Sequence, residues 1–407
     1  MNELDDIDDE LESVAIGSMV VPADASDRAI EKHFESGRLR VVQEKNDIFM
    51  SHIIDFIQGT NGDRVWGNLR PEYQRRLRWD TKKKSKLIES FIMNVPVPPI
   101  FLYEKSLGKF EVMDGQQRLN AVAEFMSGQF ALEGLEIWQA LNGRTYSKLP
   151  PLIRRGLERA KISAITLMSD SSSTEEDSLD LRAQVFERLN TGGERLNAQE
   201  LRNSLYSGPF NELIIELSKD DLYAKAWDIP NHKDNTRTDG TVSESLKNDG
   251  LYKRMTDVEI VLRYFAFRET DKISGSVRAM LDNTMKLNRY CNSDDVNRLK
   301  ESFREALSVC IEVFGNMAFR LPDSGKSKSS KLSRPLFDAE MVAISMHMSN
   351  KTQLLERKDA VRDAVLMLAT PESEHYALMV GRGNTAATIK DRILKVYTVI
   401  SDILNNG

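Results

Sequence analysis

The chain has 407 residues, 41% of them hydrophobic, enough to bury a sizeable core in two or three domains. A formal charge of -6 excludes a protein uniformly coated in basic residues, so any anion-binding surface must be local. Two cysteines without partners at ligand spacing exclude a disulfide framework and a cysteine-based zinc site, and the apolar run "IMNVPVPPIFLY" is too short and too proline-rich to cross a bilayer.

Residues 1–29 begin "MNELDDIDDELE", acidic where an export leader would be basic. They are expected to form a flexible tail that could lie against a basic face, in a cytoplasmic protein without a membrane anchor. Ile48 to Ile57 carries apolar residues at helical spacing and ends at a glycine-rich break. "VWGN" then reads as a short strand leading into an arginine-rich loop.

A helix capped by Thr81 is expected from about Lys82 to Met93, stopped by "VPVPP". "IFLYEK" and "KFEVMD" follow as strands around the Leu107-Gly108 turn, and "GQQRLNAVAEFMSG" as a helix closing on Gly128. "LPPLIRRGLERAKI" reads as a proline-started helix and "SAITLM" as a strand. A Ser/acid loop, the helix carrying "AQVFERLN", and a helix with Asn197 and Glu200 in capping-box relation complete a mixed domain over 30–208.

Beyond Pro209 the apolar spacing is helical nearly throughout, apart from a polar stretch from Asp228 to Asp249, so residues 209–407 are expected to form an all-helical domain. The fold class is therefore α+β, a mixed domain followed by a helical one. Asp257 and Glu259 read as an exposed helix start, and Cys291 and Cys310 as buried thiols. "GRGNTAATIKDR" reads as a loop capped by Asn384 or Thr385 that could also touch DNA phosphates.

The densest chemistry lies in "VMDGQQRLNAV", at the corner between a strand and a helix. A helix N-terminus offers unpaired amides and a positive dipole end to an anion. Gly115 lets a phosphate approach those amides, Arg118 can reach back to the same anion, and Gln116 and Gln117 offer neutral donors and acceptors. Asp114 could hold a divalent ion or orient a water. Structurally, Asp114 and Gln117 also make a capping box, and Arg118 could simply reach solvent.

A second basic stretch runs from Arg70 to Lys86, eight basic residues facing only Glu72 and Asp80, with Tyr73 and Trp79 interleaved. It could hold a triphosphate or follow a nucleic-acid backbone, while Lys82 to Lys86 read as the solvated face of a helix.

"VMDGQQRLNAV" resembles the DGQQR signature of the GmrS-like family, the N-terminal domain of GmrSD-type modification-dependent restriction systems. "RPEYQRRLRWD", "KLIESFIMNVPVPPIFLYE" and "FERLNTGGERLNAQELRN" resemble its other motifs, in the same order. That family is similar in fold to ParB and sulfiredoxin, whose GxxRxxA spacing Gly115, Arg118 and Ala121 reproduce.

The resemblance implies nucleotide binding, with triphosphate hydrolysis in several members that regulates DNA restriction against phage; Mg2+ is a candidate cofactor of such a site. Together with the corner's own chemistry it makes Asp114, Gln117 and Arg118 the candidate catalytic residues, with Asp114 the candidate metal ligand. Gln74, Arg75, Gly115, Gln116, Arg188 and Asn190 would bind the nucleotide, and Arg76 and Arg78 would lie at the rim toward nucleic acid. Glu200 and Arg202 read as helix cap and surface charge.

Implied partners are DNA and an HNH-type nuclease. His33, His52, His232, His347 and His375 are scattered and open no H-N-H array, which speaks against cutting by this chain alone. Without a GxxxxGKS loop, any triphosphatase activity would not be of the P-loop kind. The competing readings are a non-catalytic DNA-binding or interaction module, and a ParB-like nuclease.

Overall fold

The computed structural model describes residues 25–37, 41–59, 67–68, 79–169, 182, 185, 188, 197–237, 242–322 and 330–405. These fall into two compact units, one within 1–69 and 81–186, the other within 70–80 and 187–407. As expected, a mixed α+β portion precedes a helical one. Most of the acidic tail lies outside the described residues, and a helix, α1 (Asp27–Gly37), already occupies its end.

The first unit is built on a five-stranded mixed sheet in the order β1-β5-β3-β4-β2. The expected strands appear as β2 (Gly67–Asn68), β3 (Ile100–Ser106), β4 (Lys109–Asp114) and β5 (Lys161–Ser169). β3 and β4 form an antiparallel hairpin, whereas β3 pairs in parallel with β5, and β2 with β4. β1 (Val41–Phe49) is an addition that apolar spacing does not announce, pairing antiparallel with β5 from Val41↔Ser169 to Phe49↔Lys161. Ile48 and Phe49 therefore finish a strand, and the helix expected from Ile48 begins at Met50.

Among the described residues the sheet is accompanied by α2 (Met50–Gln58), α3 (Thr81–Ile92), α4 (Gln116–Met126) and α5 (Pro151–Arg159). They pack on one another through Ile53, Ile88, Leu119, Phe125 and Leu157, all essentially inaccessible to water. Burying each such side chain contributes roughly 1.5–3 kcal/mol, which fixes the α4 start against the sheet.

The second unit is helical. Its principal helices are α6 (Ala198–Leu205), α7 (Pro209–Leu217), α8 (Thr256–Phe267), α9 (Val277–Asn288), α10 (Ser293–Phe314), α11 (Arg334–Met346), α12 (Lys358–Leu368) and α13 (Ala386–Asn405). Tyr223, Tyr264, Phe303 and Phe337 meet in an aromatic core, with tilted and edge-on ring contacts. The α6 capping box between Asn197 and Glu200 forms as expected, and Thr385 caps the start of α13 by accepting the Thr388 N–H at 3.2 Å.

Several expectations in this unit are corrected. Arg202 is no surface charge: it is 3% exposed and donates to Glu259 at 3.0 Å and Asp282 at 2.7 Å. Asp257 is fully buried rather than at an exposed helix start, and Cys291 is only half-buried while Cys310 is completely so. Burial alone would raise the Glu259 carboxyl, yet Arg202, Arg263 and Arg334 bring it below its ordinary value. Arg392 is buried too and donates to the Leu378 and Gly383 carbonyls, so this residue of "GRGNTAATIKDR" does not face DNA. No described helix is long and apolar enough to cross a membrane.

Candidate functional site

β4 ends at Asp114 and α4 starts at Gln116, leaving Gly115 alone to turn the chain. Gly115 is buried, with φ +96° and ψ 8°, a left-handed conformation that costs a side-chain-bearing residue energy. A Cβ there would sit 2.3 Å from Ile100 Cγ2 on the neighbouring strand and 3.0 Å from Arg118 Nη2. Close packing and backbone angle thus both require glycine. Gly115→Ala is expected to cost the first unit about 2 kcal/mol or more, read as a lowered urea midpoint at unchanged slope.

Gly115, not Asp114, occupies the N-cap position, and among the described residues no side chain caps the first turn. This corrects the capping-box reading of Asp114 and Gln117: the glycine inserted between strand and helix puts the aspartate one position too early. Asp114 instead accepts a 2.6 Å hydrogen bond from Arg118 Nη2, an i,i+4 pair across the corner. The same nitrogen lies 3.2 Å from the carbonyl of Pro99, the residue before β3.

The Arg118 side chain is 14% exposed and that of Asp114 is 53% exposed. Arg118 Nε is buried and has no hydrogen-bond partner among the described residues. With one partner half in water, such a pair is worth at most about 1 kcal/mol, so a more highly charged anion can compete for the guanidinium. The side-chain amide of Gln116 turns back and donates to the Val112 carbonyl at 2.9 Å. Gln117 is half-buried in the first turn.

Asp114, Gly115, Gln116, Gln117 and Arg118 are therefore assembled at one corner. Arg188 is helical and exposed, within the second unit. Gln74, Arg75, Arg76, Arg78 and Asn190 lie outside the described residues.

The sequence reading missed the charge pair directly upstream. Glu111, mid-β4 and 3% exposed, receives both hydrogen bonds of Arg182 Nη2 at 2.5 and 2.6 Å, and the Arg182 guanidinium lies 5.1 Å from the Tyr103 ring centre on β3. An acid inside the otherwise apolar "FEVM" was the available signal. Among the described residues, no group of three His, Cys, Asp or Glu side chains converges as a metal cage.

No curated protein and no solved structure matches the chain. Residues 53–207 match the family model described as GmrSD restriction endonuclease, N-terminal domain, a match that opens inside α2 and runs through the Asp114–Arg118 corner to just beyond α6. Over residues 53–207, then, the chain is similar to the N-terminal domain of GmrSD restriction endonucleases.

Proposed function

We propose that the protein is a component of a DNA restriction system and that the corner after β4 binds a nucleoside triphosphate. The supporting observation is the fold-back of Arg118: a mostly buried guanidinium rests on an exposed carboxylate beside a helix start that no side chain caps among the described residues. Phosphate oxygens would take the amides at the N-terminus of α4, and Arg118 would exchange Asp114 for phosphate. Asp114, released, would then be free for a magnesium ion.

One carboxylate fits that role, because Mg2+ commonly binds through one or two carboxylates plus substrate phosphates rather than a protein cage. Gln116 would contribute its main-chain N–H, since its side chain is engaged with Val112. Gln117 would orient the attacking water. An encounter with DNA and with an HNH-type partner nuclease rests on the family resemblance alone.

The test is a panel of nucleoside triphosphates with magnesium on the full chain, reading binding and phosphate release. Arg118→Ala is expected to abolish both. Asp114→Asn frees the guanidinium, so it is expected to keep or strengthen binding, by up to about tenfold, while lowering hydrolysis at least about 100-fold. Absence of binding by every nucleotide would overturn the proposal. Salt-sensitive DNA retention without nucleotide dependence would favour the interaction module instead.

A further inference from the structure

The first unit also carries an apolar surface that none of the Asp114–Arg118 residues line. Two concavities, of ≈ 260 and ≈ 360 Å³, lie along the C-terminal end of α3, on either side of Ile137 and Trp138. Met93, Val95, Ile137, Trp138 and Leu152 are each between 37% and 75% exposed there. Single exposed apolar residues need no explanation, but five grouped around adjoining hollows mark a contact surface.

The surface is held in shape from below. Glu89, 7% exposed, accepts the backbone N–H groups of Ile137 and Trp138 at 3.2 and 2.9 Å, and Ser85 accepts that of Glu133 at 2.9 Å. The acids nearby are therefore engaged: Glu89 by those amides and Glu136 by Lys86 at 3.1 Å. Arg159 lines the larger hollow and Arg155 stands one turn before it on α5; both are exposed, and neither has an ion-pair partner among the described residues. The patch is thus apolar with a cationic edge.

An occupant should be apolar on one side and acidic on the other. We infer that this surface docks the chain's own N-terminal segment, Glu3 to Glu12. That segment has seven acidic residues and no basic one, with Leu4, Ile7 and Leu11 spaced to share one helical face. The 14 residues between Glu12 and Asp27 can extend about 45 Å. A unit of this size has a radius of gyration of roughly 15 Å and hence a diameter of roughly 40 Å, which the tether can span within one chain.

The test places p-benzoylphenylalanine at Ile7 in the full-length chain, irradiates an equal mixture of 15N-labelled and unlabelled protein, and maps the crosslinks by mass spectrometry. Crosslinks to Met93, Trp138 or Leu152 within one chain are expected. The double variant Arg155→Glu/Arg159→Glu, which changes only exposed side chains, is expected to lower that yield about tenfold, as is replacement of Leu4 and Leu11 by Ser. Crosslinks to another surface, crosslinks only between labelled and unlabelled chains, or a yield indifferent to the arginine changes would each overturn the assignment.

Discussion

Between about pH 4.5 and about pH 8 the helical unit is expected to lose on the order of 4 kcal/mol of stability through one side chain, Glu340. This carboxyl is fully buried on α11, and burial pushes its pKa up from 4.5 to about 8, opposed only by the Phe319 N–H that its Oε2 accepts at 2.8 Å. Its other oxygen has no hydrogen-bond partner among the described residues, and the neighbouring Cys310 thiol, itself raised well above its usual range by burial, gives it no cation.

Because the folded pKa lies above the unfolded one, the folded state holds the proton more tightly. The contribution is complete below the unfolded value of 4.5 and disappears as pH rises through about 8. His347 works in the other direction: burial lowers its pKa below 6.5, so its cost appears only as pH falls. The interval from about 6.5 to about 8 therefore isolates Glu340, with on the order of 2 kcal/mol at stake. Glu340→Gln keeps an acceptor for Phe319 and cannot ionise. Urea denaturation followed by helical circular dichroism should show the wild type weakening across that interval and the variant staying level; parallel curves would refute the account.

Apolar periodicity made the helices of the second unit legible because each long helix buries one stripe, as α10 does with Leu299, Phe303, Ala306 and Cys310. The same reasoning could not see β1, where "QEKND" is a solvated stretch whose strand conformation comes from hydrogen bonding to β5 rather than from side-chain burial. At the corner, residue types identified the cluster, but their pairing depended on Gly115. Its left-handed turn moved the cap off Asp114 and left the carboxylate facing Arg118, a consequence of φ and of Ile100 packing that spacing does not encode. Arg202 and Asp257 were misplaced for a related reason. A charge reads as exposed until its partner, 57 or 80 residues away for Arg202, is known.

The same difficulty holds for Arg263 and Asp338, whose pairing is expected to show an asymmetry between its two halves. Arg263 Nε donates to Asp338 Oδ1 at 3.0 Å and Nη2 to Oδ2 at 2.5 Å, joining α8 to α11, with side chains 7% and 0% exposed. The guanidinium also lies 5.1 Å from the Phe267 ring centre. Removing one member of so buried a pair typically costs about 3–5 kcal/mol, because the survivor's charge is left in a low-dielectric interior. The two survivors are not equivalent here. Arg392, fully buried and lowered from its usual pKa chiefly by that burial, is attracted by Asp338 and repelled by Arg263. Arg263→Ala leaves Asp338 with a second cation nearby and relieves a repulsion, whereas Asp338→Ala leaves two guanidiniums in one interior with their shared counter-charge gone. Asp338→Ala is therefore expected to be the more damaging change, at the upper end of about 3–5 kcal/mol, and Arg263→Ala to fall at or below its lower end. Changing Arg392 to Met in the Asp338→Ala background should return part of the loss. Equal costs for the two single variants, or no recovery in the double, would mean that Asp338 does not serve both arginines.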